Sequence, residues 1–134
     1  MKNLTNKNII ITGASGGIGN AIVSKLSEEG ANILASGTNH EKLEELKKNF
    51  EKIKIIKFDI SQSEKIEDFI ENATNELGGK LDCIVNNAGI TQDNLAIRMT
   101  LDEWNKVIDI NLTSTFLMLK FSIKKMLKNK SGKI

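Results

Sequence analysis

The stretch Thr12-Gly13-Ala14-Ser15-Gly16-Gly17-Ile18-Gly19 constrains the fold of this chain more than any other segment. Before it stands a short β-branched run, Asn8-Ile9-Ile10-Ile11. After it, apolar residues recur at Ile18, Ile22 and Leu26, spaced by four, with Gly30 where a helix-ending glycine belongs. A strand, a glycine loop and a helix in that order let the backbone turn tightly and approach a phosphate. The free N–H groups at the helix start then favour negative charge. The spacing is neither G-x-G-x-x-G nor G-x-x-x-x-G-K-[ST], which disfavours a P-loop nucleotidase. Read alone, the loop is either such a phosphate cradle or a glycine-rich turn with no ligand.

Strand and helix patterns alternate along the rest of the chain. Asn32-Ile33-Leu34-Ala35 is a second apolar run, followed by a helical stripe at Leu43, Leu46 and Phe50. Ile53, Ile55, Ile56 and Phe58 mark a third strand that closes at Asp59. Ser61-Gln62-Ser63-Glu64 reads as a capping box opening a helix through Ile66, Phe69, Ile70, Ala73 and Leu77. Leu81-Asp82-Cys83-Ile84-Val85 is the fourth strand. Thr100-Leu101-Asp102-Glu103 is a second capping box, opening a helix through Trp104, Val107, Ile108 and Ile110, and a last helix runs from about Thr113 to Asn129. Lys133-Ile134 reads as the first step of a fifth strand. This alternation predicts βαβ units and an α/β fold. Its sheet is parallel and doubly wound, Rossmann-like, truncated after about four strands and five helices, with residues 1–134 forming one incomplete domain.

Composition excludes several classes. With 19 basic and 17 acidic side chains the formal charge is only +2, and the lysines are dispersed, so a nucleic-acid partner is not expected. No apolar run reaches membrane-spanning length. Met1-Lys2-Asn3-Leu4-Thr5 shows no signal-like core, and a single cysteine, Cys83, forms no internal disulfide; a cytoplasmic location is expected. Cys83 and Trp104 read as core residues, and no metal site is expected. The chain holds no proline and no tyrosine.

A second motif, Asn86-Asn87-Ala88-Gly89, follows the fourth strand, at the sheet edge where doubly wound folds bind ligands. By itself it is an Asx-type turn or a ligand-lining loop. Together the two motifs resemble the short-chain dehydrogenase/reductase family. Its TGxxxGIG pattern is matched by Thr12, Gly13, Gly17, Ile18 and Gly19, and its NNAG pattern by Asn86 to Gly89. Asn86 to Leu95, Arg98-Met99 and Ile110-Asn111-Leu112 are similar to the bacterial 3-oxoacyl-[acyl-carrier-protein] reductases within that family. The likeness covers the whole chain, which corresponds to about the first half of such an enzyme.

The resemblance implies a nicotinamide cofactor held by Gly13, Ala14, Ser15, Gly16, Gly17, Ile18 and Gly19, by Thr38, by Asp59 and Ile60 at the adenine, and by Asn86, Ala88, Gly89 and Ile90. The second strand ends Ala35-Ser36-Gly37-Thr38 without a carboxylate, which favours NADP(H) over NAD. Those reductases often carry a basic residue in the glycine loop where this chain has Gly16; His40 or Lys42 is a candidate substitute.

The family mechanism passes a hydride to a ketone while a tyrosine, its pKa lowered by a lysine, donates the proton. Asn111 matches the asparagine that orders water for this relay. The serine, tyrosine and lysine would lie beyond Ile134. The expected function is therefore NADPH-dependent reduction of a 3-oxoacyl thioester in fatty-acid synthesis, this chain being the cofactor-binding half. The alternatives are another short-chain reductase and an inactive nucleotide-binding remnant. The resemblance also implies a homotetramer built partly on the last helix. That helix carries more apolar side chains than one half-sheet needs, which predicts a chain that is poorly soluble or self-associates, and the basic residues Lys124, Lys125, Lys128 and Lys130 are a candidate face for acyl carrier protein.

Overall fold

The computed structural model describes residues 3–134; Met1 and Lys2, at the head of the segment leading into the first strand, lie outside it. Four strands, β1 (Asn8–Ile11), β2 (Asn32–Gly37), β3 (Lys54–Lys57) and β4 (Cys83–Val85), form one parallel sheet in the order β3-β2-β1-β4. Ile10 pairs with Leu34 on one side and with Ile84 on the other. The helices are α1 (Gly17–Glu28), α2 (His40–Asn49), α3 (Ile66–Glu76), α4 (Leu101–Ile108) and α5 (Ser114–Leu127).

Side-chain alternation along β1 divides the core. Ile10 faces one way with Leu34 and Ile84, against Ile66, Phe69, Ile70 and Ala73 of α3 and Met118 and Met126 of α5. Ile9 and Ile11 face the other way with Ile33 and Ala35, against Val23 of α1 and Leu43 and Leu46 of α2. A strand apolar on both faces needs cover on both, and right-handed crossovers supply it. The parallel Rossmann-like sheet expected from the alternation is the one observed.

Lys133 continues the sheet beyond β4. Its N–H donates to the Asp82 carbonyl at 2.9 Å, and its own carbonyl accepts from the Ile84 N–H at 3.1 Å, a single parallel bridge to Cys83. The Thr100 capping box forms: the Thr100 hydroxyl accepts from the Glu103 N–H at 3.1 Å, and the Glu103 carboxylate accepts from the Thr100 N–H at 2.8 Å.

Three local expectations are corrected. Ser61 caps no helix; its N–H is taken by Asp59 Oδ1 at 2.9 Å, and a 3₁₀ turn at Ser63–Lys65 precedes α3. The Asp59 carboxylate, two residues upstream, takes the Ser61 N–H that the Glu64 side chain would accept in a capping box. Trp104 is not a core residue but 56% exposed, because α4 stands off the sheet and buries no side chain. The helices either side of Asn111 are not separate either. A π turn at Asp109–Thr113 joins α4 to α5, with the Ser114 N–H bonded to the carbonyl of Asp109, five residues back. Among the described residues no helix is long and apolar enough to cross a membrane.

Candidate functional site

A cleft of about 390 Å³ opens at the carboxyl ends of the strands, where the chain order reverses between β1 and β4. In open α/β sheets this switch point is where ligands bind, because the loops on either side diverge to opposite faces. Its walls are Thr12, Gly13, residues 15–19, 36–38, 58–60 and 87–90, and Ile110.

The glycine loop forms one wall by necessity. Gly13 has φ +61°, and a Cβ on it would stand 2.8 Å from the Ala88 Cα, so the β1 and β4 loops touch backbone to backbone there. A Cβ on Gly19 would overlap the Gly13 carbonyl oxygen, since the first turn of α1 sits directly under the loop. The residue capping α1, Gly16, supplies no side-chain bond, and the first turn of the helix holds no acidic residue. The N–H groups of Gly17, Ile18 and Gly19 thus lack helical acceptors at the cleft wall, and the helix dipole adds positive potential.

Thr12 locks this wall to the next. Its hydroxyl oxygen accepts from the Asn87 N–H at 3.2 Å and the Ala88 N–H at 3.1 Å while donating to the Val85 carbonyl at 3.4 Å. The Asn87 amide returns the link, donating to the Gly13 carbonyl at 3.1 Å and the Thr12 carbonyl at 3.3 Å. The Ala14 N–H donates to the Ser36 carbonyl at 2.9 Å, joining the loop to β2 as well.

The far wall comes from the end of β3. Phe58 stacks on Phe69 of α3 with ring centroids 4.3 Å apart, which anchors the following Asp59 and Ile60. On the β4 side, Asn111 in the π turn holds Ile90 through its side chain: Oδ1 accepts from the Ile90 N–H and Nδ2 donates to the Ile90 carbonyl, both at 2.8 Å.

Of the residues singled out in the sequence, Gly13, Ser15, Gly16, Gly17, Ile18, Gly19, Thr38, Asp59, Ile60, Ala88, Gly89 and Ile90 line this one cleft. Ala14 and Asn86 do not. Ala14 is wholly buried in the core, and the chain turns so that Asn87 rather than Asn86 meets the cleft. Asn111 reaches it through Ile90. Sequence reasoning passed over Asn87, Ser36 and Phe58. The signal for the latter two was position alone, at the carboxyl ends of their strands. Asn87 was within a recognised motif, but its latch onto Gly13 depends on contact between the two loops.

Among the described residues, Asp59 is the one charged residue that lines the cleft. His40 turns toward its own helix, 3.5 Å from Glu44, and neither it nor Lys42 lines the cleft. Burial and the neighbouring Asp82 charge push the Cys83 thiol up, as suits a packing role rather than a reactive one. Among the described residues no cluster of histidine, cysteine or carboxylate side chains could hold a metal ion.

Sheet order, glycine wall and switch-point cleft together define a Rossmann-like domain of the kind found in oxidoreductases. The family model described as short chain dehydrogenase matches residues 7–134, and the chain belongs to that family. It is 44% identical, over its full length, to 54% of the "3-oxoacyl-[acyl-carrier-protein] reductase FabG" of Rickettsia conorii. It is 38% identical over 98% of its length to 54% of the protein of the same name from Vibrio cholerae. Among solved structures, a short-chain dehydrogenase/reductase from Brucella melitensis superimposes with a TM-score of 0.85 at 32% identity, covering 93% of this chain and 54% of that one. The chain thus spans about half the length of the curated relatives it matches.

Proposed function

We propose that this chain is the cofactor-binding half of an NADPH-dependent reductase acting on 3-oxoacyl thioesters carried by acyl carrier protein. The observation that carries this reading is the cleft itself: a glycine wall at an uncapped helix N-terminus, with no carboxylate where β2 ends. The names of the relatives support the substrate class.

The residues present fit a dinucleotide phosphate. The N–H groups of Gly17, Ile18 and Gly19 would hold the pyrophosphate. Ser36, Gly37 and Thr38 offer hydroxyl and backbone groups to the adenosine ribose, where a carboxylate would repel a 2′-phosphate. One oxygen of Asp59 is engaged by Ser61, leaving the other to accept from the adenine amino group. Ala88, Gly89 and Ile90 would line the remaining ribose. When bound, the cofactor supplies a hydride to the substrate carbonyl. Asn111, in the role carried over as part of the proton relay, holds Ile90 with one Nδ2 proton and one Oδ1 lone pair, which leaves a second donor and a second acceptor to order water.

The chain contains no tyrosine, so a phenol acid has to come from outside these 134 residues. The second reading is a nucleotide-binding remnant that does not turn over. In the first reading the protein works in the cytoplasm as a homotetramer, with the exposed apolar face of α5 in the subunit interface. Lys124 and Lys125 are paired with Glu67 and Glu71 of α3, so a carrier-protein face on α5 would rest on the exposed Lys128 and Lys130.

Calorimetric titration of the chain with NADPH and NADH tests the reading. Tighter binding of NADPH is expected. Tighter NADH would overturn the cofactor preference, and binding of neither would overturn the cleft assignment. Turnover of an acetoacetyl thioester only when the chain is completed by a sequence bearing the tyrosine separates the reductase from the remnant.

A further inference from the structure

Ser114 is the first residue of α5 and is 1% exposed. Its hydroxyl lies 2.6 Å from the Ile60 carbonyl oxygen and 2.8 Å from that of Asp109. One hydroxyl has one proton, so the two carbonyls compete for it. The Asp109 oxygen already accepts the backbone N–H of Ser114 across the π turn. The Ile60 oxygen accepts no backbone N–H among the described residues, and it is the nearer. The proton therefore has its larger effect at Ile60.

This contact spans 54 residues and joins two walls of the cleft that share no strand pairing. On one side is the turn after β3, where Asp59 and Ile60 line the adenine end. On the other is the π turn that carries Asn111 and, through it, Ile90. We propose that Ser114 is a positioning residue: its hydroxyl sets the Asp59–Ile60 turn against the π turn and thereby fixes the adenine-side wall for the ligand. The proposal rests on reading the cleft as a dinucleotide site. Removing the hydroxyl leaves the Ile60 carbonyl without a donor, and the turn is free to move away from Asp109.

The test measures ADP affinity calorimetrically for the 134-residue chain and for Ser114→Ala, Ser114→Val and Ser114→Thr, well below every melting temperature. Valine and threonine have the same shape and differ in the hydroxyl. Loss of one hydrogen bond at the wall predicts ADP binding weakened about three- to tenfold in the alanine and valine variants. Binding within about twofold of the parent is expected for threonine, since the bond is kept. Equal ADP binding by all four chains overturns the proposal even where melting temperatures fall, because a merely structural serine would change stability and leave the affinity of folded molecules alone. Threonine as weak as valine also overturns it. Should neither β-branched variant fold, Ser114→Ala decides, by its ADP affinity and by amide exchange at Ser61 and Gln62: faster exchange with weaker binding supports the role, unchanged values refute it. Failure of the parent chain to bind ADP at all is a different result, which removes the dinucleotide reading and this proposal with it.

Discussion

Asn111 and Ile90 are joined by a reciprocal pair of hydrogen bonds, side-chain amide to backbone amide, each 2.8 Å long. The pair copies the pattern by which one strand recognises another, but here a side chain in a π turn reads a loop 21 residues upstream. Wide π turns cost helix stability and persist where something holds them. Asn111→Ala is expected to lower stability by about 1 kcal/mol, the bonds being exposed ones. It should also speed hydrogen exchange of the Ile90 amide. Exchange at Ile90 unchanged from the parent chain would show that the loop is held by other contacts.

Two glycines of the same loop should respond oppositely to alanine. At Gly19 the added Cβ runs into the Gly13 carbonyl and lies 2.7 Å from the Ala14 Cα, backbone atoms that cannot step aside. Gly19→Ala should destabilise by about 2–4 kcal/mol, within the range of severe overpacking. At Gly17 the Cβ meets nothing within 4 Å, and the residue opens α1. Gly17→Ala should leave stability unchanged or raise it by about 0.5 kcal/mol through the unfolded chain. It should nevertheless weaken nucleotide binding, because the methyl group stands at the cleft wall. Urea denaturation paired with NADPH titration checks both, and a Gly17→Ala chain that binds like the parent would remove Gly17 from the phosphate site.

Acid should act on the fold through Asp82. Burial opposes its ionisation, but the Lys80 hydrogen bond, the Asn8 N–H and the charges of Lys80 and Lys7 outweigh this and hold the carboxyl below its usual value. A carboxylate with a depressed folded pKa stabilises fully above its unfolded value of about 3.9, and that stability is lost as pH falls through the lower folded value. Denaturation midpoints should thus fall as pH drops below about 4, and the slope should flatten in Asp82→Asn. That variant also loses a charged acceptor for the Asn8 N–H, at 3.0 Å in the parent chain. An identical acid profile in both chains would assign the loss to other groups.

The outer face of the long helix predicts association. Leu112, Phe116, Ile123 and Leu127 follow helical spacing on one side and are 42–69% exposed, with Trp104 and Leu101 exposed on α4. Sedimentation should show self-association that rises with concentration. Phe116→Glu should shift the distribution toward monomer without changing NADPH affinity, since Phe116 does not line the cleft. A parent chain monomeric at every concentration would count against this face as an interface.

Much of this protein was legible before any coordinates. The glycine loop between an apolar run and a four-spaced stripe specified β1, its turn and α1. The alternation of strands and helices specified the parallel sheet, and Thr100 with Glu103 specified the start of α4. These are short-range facts: turn conformation, capping and periodicity are decided within a few residues of chain. Where a nearer acceptor intervened, as Asp59 did before Ser61, the local pattern misled.

What tertiary structure alone decided is which distant groups meet. Thr12 receives the amides of Asn87 and Ala88 from 75 and 76 residues away, Asn111 takes Ile90, and Ser114 reaches Ile60, because β4 lies beside β1 and α5 packs with α3 on one face of the sheet. Trp104 is exposed for the same kind of reason: its helix has the amphipathic spacing of a core element, but no part of the sheet lies beneath it. Spacing states which side of an element is apolar, while the packing of other elements determines whether that side is covered, and no local rule contains that information.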